Sequence, residues 1–388
     1  MVGVLQKIGK DKMFLISAGV AALSMFVSRP RLADVDWKTI ISLASLLALI
    51  AVYENIEVLS YGASLLVKLA DNKRFLVQII VYTSFFAAMI LTNDAAIIAL
   101  TPILIIVAQR IKLPIILPVV LVNVAANLGS MVTPFGNPQN LYLLNRFALN
   151  FNDFIRMALP VLIASLLLLW LFTLKIPHER ITNVMLPKFK LDWSKLVLAL
   201  IATFVILAGI FSFLPMPVML ATAVIIVVLV DPKIFGKIDY ALLLTFLMFF
   251  IAVGDVGRAP IVHNFMNMLG STSFGTYLSG LAVSQVISNV PAVIILAPYT
   301  KYVYPLFLGV NIGGLGTLIA SLANLLAYKQ YYERAESPSG AYFKIFLQIN
   351  ILFLLILGVV GFFLVFFNNA NLELSELIKA ALFAIILV

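Results

Sequence analysis

The sequence predicts an all-α polytopic membrane protein made of two inverted repeats, each with a re-entrant helical hairpin and a discontinuous transmembrane helix. Three observations carry that prediction. Of 388 residues, 63% are hydrophobic and only 11% are charged, with a mean hydropathy of +1.11, which is more apolar surface than one water-soluble domain can bury. Two long apolar regions, 75–145 and 274–330, are interrupted by Asn, Asp, Gly, Pro, Ser and Thr. Backbone freed by such breaks at membrane depth is tolerated only inside protein or beside a wet cavity. Finally, the two interrupted regions resemble each other.

Roughly 20 apolar residues cross the hydrocarbon core. Crossings are expected at 13–28, 39–54, 158–174, 196–213, 216–230, 239–254 and 343–366. The first follows Lys7, Lys10 and Lys12 and precedes Arg29-Pro30-Arg31 without a small-x-small cleavage site, so it reads as a retained span rather than a signal peptide. The excess of bases, 26 Lys and Arg against 17 Asp and Glu, lies between apolar runs. That is the pattern of cytoplasmic loops, and it implies a lipid bilayer as partner and no nucleic acid. With the N-terminus in the cytoplasm of a cell membrane, Lys73-Arg74 and Arg110-x-Lys112 fall on the same side. The stretch between them, 75–110, must therefore enter and leave on one face, with Thr92-Asn93-Asp94 at its tip. Residues 113–145 then cross as a broken helix, and 175–195 form a basic cytoplasmic linker. The second repeat, 196–367, has its hairpin at 274–299 and its broken helix at 304–328, and 368–388 remain as a tail; the first repeat is 1–174.

The repeat shows in a gapless match of Asn127-Leu-Gly-Ser-Met-Val-Thr-Pro-Phe-Gly-Asn-Pro-Gln-Asn140 with Asn311-Ile-Gly-Gly-Leu-Gly-Thr-Leu-Ile-Ala-Ser-Leu-Ala-Asn324, at a spacing of 184 (311 − 127). The hairpin tips match as Thr92-Asn93-Asp94 and Ser288-Asn289-Val290, at a spacing of 196 (289 − 93). Ala51-Val-Tyr-Glu54 matches Ala252-Val-Gly-Asp255, each followed by about one amphipathic surface helix. Inverted repeats place a substrate site where their discontinuous helices meet.

Glycine lets a chain leave helical geometry cheaply, and half-helix ends offer carbonyls to cations and N–H groups to anions. Candidate substrate-binding residues are therefore Asn93, Asn127, Gly129, Ser130, Thr133, Asn137, Asn289, Asn311, Gly313, Thr317 and Ser321. Asp94 is the one acid at a hairpin tip. Two chemistries fit it, proton carrier or sodium ligand, with the sodium near Asn93, Asp94 and Asn289. No other cofactor is implied. Glu54, Glu57, Asp255 and Arg258 are expected as interfacial anchors, and His178 and His263 as solvated side chains. The absence of cysteine removes disulfides and thiolate chemistry. No Walker lysine motif, His/Glu metal cluster or Ser/Lys dyad occurs within a span, so neither an ATP-driven pump nor an intramembrane enzyme is expected.

At Thr92-Asn-Asp-Ala-Ala96, Asn127–Asn140, Ser288-Asn-Val-Pro291 and Gly309–Asn324 the sequence resembles the ion transporter superfamily. That group contains arsenite-efflux permeases, anion permeases, sodium-coupled dicarboxylate symporters, citrate carriers and a branch of sodium/proton antiporters. The likeness covers roughly residues 13–367, and the last segment looks most like the arsenite and anion permease branch. The resemblance implies a scaffold domain, a moving transport domain, an elevator-type mechanism and often a homodimer. Its expected cargo is a small anion or a neutral oxyacid, moved with protons or sodium; the alternative is a sodium/proton antiporter. The dicarboxylate branch shows Ser-Asn-Thr at both tips, whereas this chain has Thr-Asn-Asp and Ser-Asn-Val.

Overall fold

The computed structural model describes residues 2–181 and 189–369. Residues 182–188 of the expected linker and 370–388 of the expected tail lie outside the described residues. The rest is helical: α1 (Val2–Lys10), α2 (Lys12–Ser24), α3 (Trp37–Asn55), α4 (Val58–Val67), α5 (Lys73–Ile90), α6 (Asn93–Arg110), α7 (Ile116–Ser130), α8 (Pro138–Arg146), α9 (Phe151–Thr173), α10 (Trp193–Ile210), α11 (Met216–Val230), α12 (Tyr240–Gly257), α13 (Pro260–Gly270), α14 (Ser273–Ile287), α15 (Asn289–Leu296), α16 (Val303–Ile312), α17 (Leu322–Arg334) and α18 (Ala341–Asn369). No strand occurs among the described residues, only one isolated bridge between Asn72 and Arg180. Seven helices, α3, α5, α6, α9, α10, α12 and α18, are long and apolar enough to cross a membrane. The chain is a multi-pass membrane protein.

Helix ends follow from local chemistry. Asp11, Asn72, Thr92 and Asn137 each sit in extended geometry and accept the amide three residues on, at Phe14, Phe75, Ala95 and Asn140. Such caps satisfy donors that a helix leaves orphaned. The expected hairpins are α5–α6 and α14–α15, and the expected broken helices are α7–α8 and α16–α17. Each hairpin limb of the first pair has 18 residues, enough by length to cross. Its tip nonetheless docks on a helix break, as described below.

The chain forms two compact units, each drawing on both repeats. The first comprises Met1–Ile56, Leu191–Ser271 and Ile294–Lys301; the second comprises Glu57–Lys190, Thr272–Val293 and Tyr302–Val388. In the first unit α2 lies on α12 and α3 on α11. In the second, α5 lies on α7 and α14 on α16, the same hairpin-to-broken-helix pairing in each repeat. Those contacts are close because they are made by small residues. A Cβ on Gly129 would come 1.9 Å from the Phe85 carbonyl oxygen, and Gly309 and Gly280 face each other with 3.1 Å left for a Cβ. Buried Ala87, Ala88, Ala96, Ala126, Ala323 and Ala327 seat α6 and α17 in the same way. In membranes, where water does not drive helices together, such close contact supplies the dispersion that holds them.

The expectation that Asp255 and Arg258 are interfacial anchors is corrected. Asp255 is fully buried; one carboxylate oxygen accepts from Ser24 Oγ at 3.1 Å and the other from Ser28 Oγ at 3.3 Å and from the Arg258 guanidinium. Arg258 also binds Asp34 at 2.9 Å and the Arg29 carbonyl at 2.9 Å. The i, i+3 spacing puts both charges on the α12 face that meets the end of α2, so they pin two helices together. Arg258→Gln is expected to cost about 3–5 kcal/mol by leaving a buried carboxylate without its cation. Adding Asp255→Asn should restore most of that loss in thermal unfolding of the purified protein. Glu54 and Glu57 are exposed, as are His178 and His263.

Candidate functional site

The two breaks, both in the second unit, are built to one plan. In the first, residues 131–137 separate α7 from α8; in the second, 313–321 separate α16 from α17. The Asn93 amide at the first hairpin tip donates to Gly136 O at 3.2 Å, and the Asn289 amide at the second donates to Ala320 O at 3.0 Å. The Thr133 hydroxyl donates to Met89 O at 2.6 Å and the Thr317 hydroxyl to Gln285 O at 3.0 Å. In both cases the acceptor lies four residues before the tip asparagine. Each hairpin is thus fastened to its own break at two equivalent points.

Two asparagines then close the backbone of each break. Asn140 Nδ2 donates to Ser130 O, Met131 O and Thr133 O at 3.3, 3.0 and 3.1 Å. Asn324 Nδ2 donates to Gly314 O at 3.0 Å and Thr317 O at 2.9 Å, and these carbonyls hold the same repeat positions as Ser130 and Thr133. The oxygens of these two side chains reach across to the other repeat: Asn311 Nδ2 donates to Asn140 Oδ1 at 2.8 Å, and Asn127 Nδ2 to Asn324 Oδ1 at 2.9 Å. Asn127 and Asn311 also return a bond to the carbonyl four residues back, at Asn123 and Phe307. The result is a four-asparagine brace with two-fold symmetry. Carboxamide NH2 groups thus bond backbone carbonyls in both breaks, where regular helical partners are missing.

Around the brace the repeats diverge. Asn93 Nδ2 donates to Asn127 Oδ1 at 3.3 Å, and Asn137 Nδ2 donates to Ser130 Oγ at 3.1 Å and Asn311 Oδ1 at 3.2 Å. Ser321, the counterpart of Asn137, begins α17 but makes no side-chain capping bond. Ser288 has φ 76° and ψ 154°, whereas its counterpart Thr92 has φ −158°. Ser288 thus occupies a region that is essentially glycine's, at a cost of about 1–3 kcal/mol. Asp94 is half-buried in the first turn of α6, its amide bonded to Asn93 Oδ1. The helix N-terminus there favours its negative charge.

The structure therefore brings Asn93, Asn127, Ser130, Asn137 and Asn311 into one hydrogen-bonded network. Thr133 and Thr317 join it through the breaks, Asn289 stands beside Gly314, and Ser321 is buried at the start of α17. Gly129 and Gly313 do something other than the unwinding expected of them. Gly313 keeps helical geometry, with φ −62° and ψ −15°. Both glycines serve close approach, to Phe85 O and to Ser284 respectively. The glycine with positive φ is Gly316, at 100°, where a Cβ would strike Gln285 Oε1.

Sequence reasoning passed over Asn123, Asn140, Asn324 and Gln285. Asn140 and Asn324 were visible in the 184-residue register, and Asn123 lies one helical turn before Asn127. Gln285 carried no such signal because its counterpart is Met89. Its Nε2 donates to Gly313 O at 2.7 Å and Leu315 O at 3.0 Å, and its Oε1 accepts from the Thr317 amide at 3.0 Å. Gln285→Met, which gives the second hairpin the residue of the first, should strand three backbone groups. It is expected to lower the thermal unfolding midpoint by roughly 5 °C. Gln285→Glu should do no better, since a carboxylate cannot donate to the two carbonyls.

Comparison with known proteins agrees with this architecture. The family model described as CitMHS, citrate transporter, matches residues 1–305. An uncharacterized transporter of Methanocaldococcus jannaschii is 32% identical over 323 residues, covering 82% of this chain and 88% of its own. The inner membrane protein YbiR of Escherichia coli is 28% identical over 331 residues, covering 83% and 87%. Among solved structures, the YdaH transporter of Alcanivorax borkumensis shares the fold, with a TM-score of 0.52, 15% identity and 86% of each chain covered. The braced breaks thus sit in a transporter of the citrate and anion permease type, and the chain belongs to the citrate transporter family, CitMHS.

Proposed function

We propose that the protein is a secondary active transporter that carries a small anion or a neutral oxyacid by elevator-type alternating access, coupled to protons or sodium. The carrying observation is the unequal finish of two otherwise matched breaks. On the first repeat the helix starts are closed by Thr92 and Asn137, and an acid, Asp94, stands at the tip. On the second, α17 begins at an uncapped serine, Ser321, beside a tip with valine in place of the acid. An open helix N-terminus suits an anion and a carboxylate suits a cation, so the two cargoes have separate places in one network. The unit that holds the network is the moving body, the other is the scaffold, and the N-terminus faces the cytoplasm. By family resemblance the working form is a homodimer.

Citrate enters as one candidate through the family's description, alongside other carboxylates and oxyanions such as arsenite. The purified protein should show ligand-dependent thermal shifts in a panel of these compounds, and Ser321→Ala should weaken the apparent affinity for the active anion by about tenfold or more, the worth of one hydrogen bond to a charged group. A shift with sodium or pH and with no anion at all would instead favour the sodium/proton antiporter, for which Asp94 alone suffices.

A further inference from the structure

Away from the network, the outer face of α5 forms a groove of about 520 Å³ with α4 and α9, lined by Leu66, Phe75, Ile79, Tyr82, Phe86, Ile90 and Trp170 among others. Of its polar members Gln78, Tyr82 and Thr83, Gln78 donates to Thr173 at 3.0 Å and Tyr82 to the Leu166 carbonyl at 3.2 Å. The lining is otherwise apolar, and Phe75, Phe86, Ile90 and Trp170 are each more than 40% exposed. From Phe75 to Ile90 the groove follows fifteen helical steps, about 22 Å. That is longer than one leaflet's share, roughly 15 Å, of a 30 Å hydrocarbon core.

One end of the groove is basic. The segments 68–74 and 175–180 meet there, joined by the Asn72–Arg180 bridge and by Arg74 Nε donating to Ile176 O at 2.9 Å. They carry Lys68, Lys73, Arg74, Lys175 and Arg180 against Asp71 and Glu179, a balance of +3 (5 − 2). Lys73 is committed to Glu179 at 2.6 Å. Lys68 and Lys175 are exposed and have no carboxylate partner among the described residues, and Lys175 Nζ is held 4.4 Å from the centre of the Phe172 ring. Beyond Ile176 O, the Arg74 guanidinium keeps its remaining donors for another acceptor.

We propose that this groove binds an anionic phospholipid, with an acyl chain along α5 and the phosphate held by Lys68, Arg74 and Lys175. A neutral lipid would fill the apolar part but leave the basic end without a counter-charge. The ligand would lie along α5 of the first hairpin, whose tip carries Asp94 beyond Ile90.

Trp170 is a built-in reporter. With Trp37→Phe and Trp193→Phe it becomes the only tryptophan, since the chain has three. The protein is reconstituted in phosphatidylcholine containing a small fixed fraction of either phosphatidylglycerol or phosphatidylcholine with brominated acyl chains. Trp170 fluorescence should be quenched more by the anionic lipid at equal fraction. Lys68→Gln with Lys175→Gln, both at exposed positions, should erase that preference, about fivefold for each base, which corresponds to roughly 1 kcal/mol apiece. Equal quenching by the two lipids, or a preference that survives the double substitution, would overturn the proposal.

Discussion

Asn324→Ala is expected to be the most damaging single substitution in the second unit outside the close-contact glycines. The side chain donates to Gly314 O and Thr317 O and accepts from Asn123 and Asn127 at 2.9 Å each. Alanine removes all four of these bonds at a buried position; Gly314 O and the Asn123 amide lose the Asn324 side chain as partner, while Thr317 O keeps Ala320 N and Asn127 Nδ2 keeps Asn123 O. The loss should be on the order of 4 kcal/mol, below the sum of four separate penalties because neighbours relax. Thermal unfolding in detergent and the yield of folded protein both report it. Asn137→Ser is the matched control, because serine already occupies the equivalent position, Ser321. It should cost about 1 kcal/mol and leave the brace intact. A variant Asn324→Ala that melts like the parent would show that the brace contributes nothing to the fold.

Asp94→Asn should abolish accumulation driven by an imposed gradient, by at least an order of magnitude, while leaving folding and substrate binding close to normal. Asparagine keeps the shape of aspartate and its place in the first turn of α6 but can neither carry a proton nor offer a full negative charge to sodium. Reconstituted vesicles with a pH or a sodium gradient separate the two couplings: whichever gradient drives the parent should fail to drive the variant. Undiminished uptake would move the coupling site to the carbonyls near Gly129 and Gly313. The brace bears on this outcome as well. The NH2 groups of Asn140, Asn324 and Gln285 already bond carbonyls of both breaks, which makes those carbonyls weaker candidates for a cation than the Asp94 carboxylate.

The helices were legible because apolar runs between bases and breaks have few other solutions in a bilayer. The expected crossing 239–254 and α12, Tyr240–Gly257, differ by a residue or a turn at each end. Asn127 and Asn311 could be found because one register related them and their surroundings. Asp255 was misread for an equally physical reason. Its sequence neighbours place it at a helix end, and only the tertiary contact with Ser24 and Ser28 buries it. Gln285 was invisible because it lacks a symmetric partner, and self-similarity reveals only what both copies keep. The glycines were recognised as special, but the sequence could not distinguish a residue that unwinds a helix from one that admits a neighbouring backbone.

The brace also constrains how the chain can be made. Asn127 and Asn324 are 197 residues apart, and Asn140 and Asn311 are 171 apart. During synthesis the first hairpin and broken helix enter the bilayer long before their partners exist, at translation rates of about 5–20 residues per second. For that interval, on the order of ten seconds or more, the Asn127 amide and the Asn140 oxygen lack their cross-repeat partners. The half-made protein is therefore a folding intermediate with exposed polar groups in lipid, a form that quality-control proteases and insertion chaperones would engage. A nascent chain stalled before residue 311 should be short-lived, and one long enough to include α17 and α18, which pack on α6, α7 and α16, should be the first to persist.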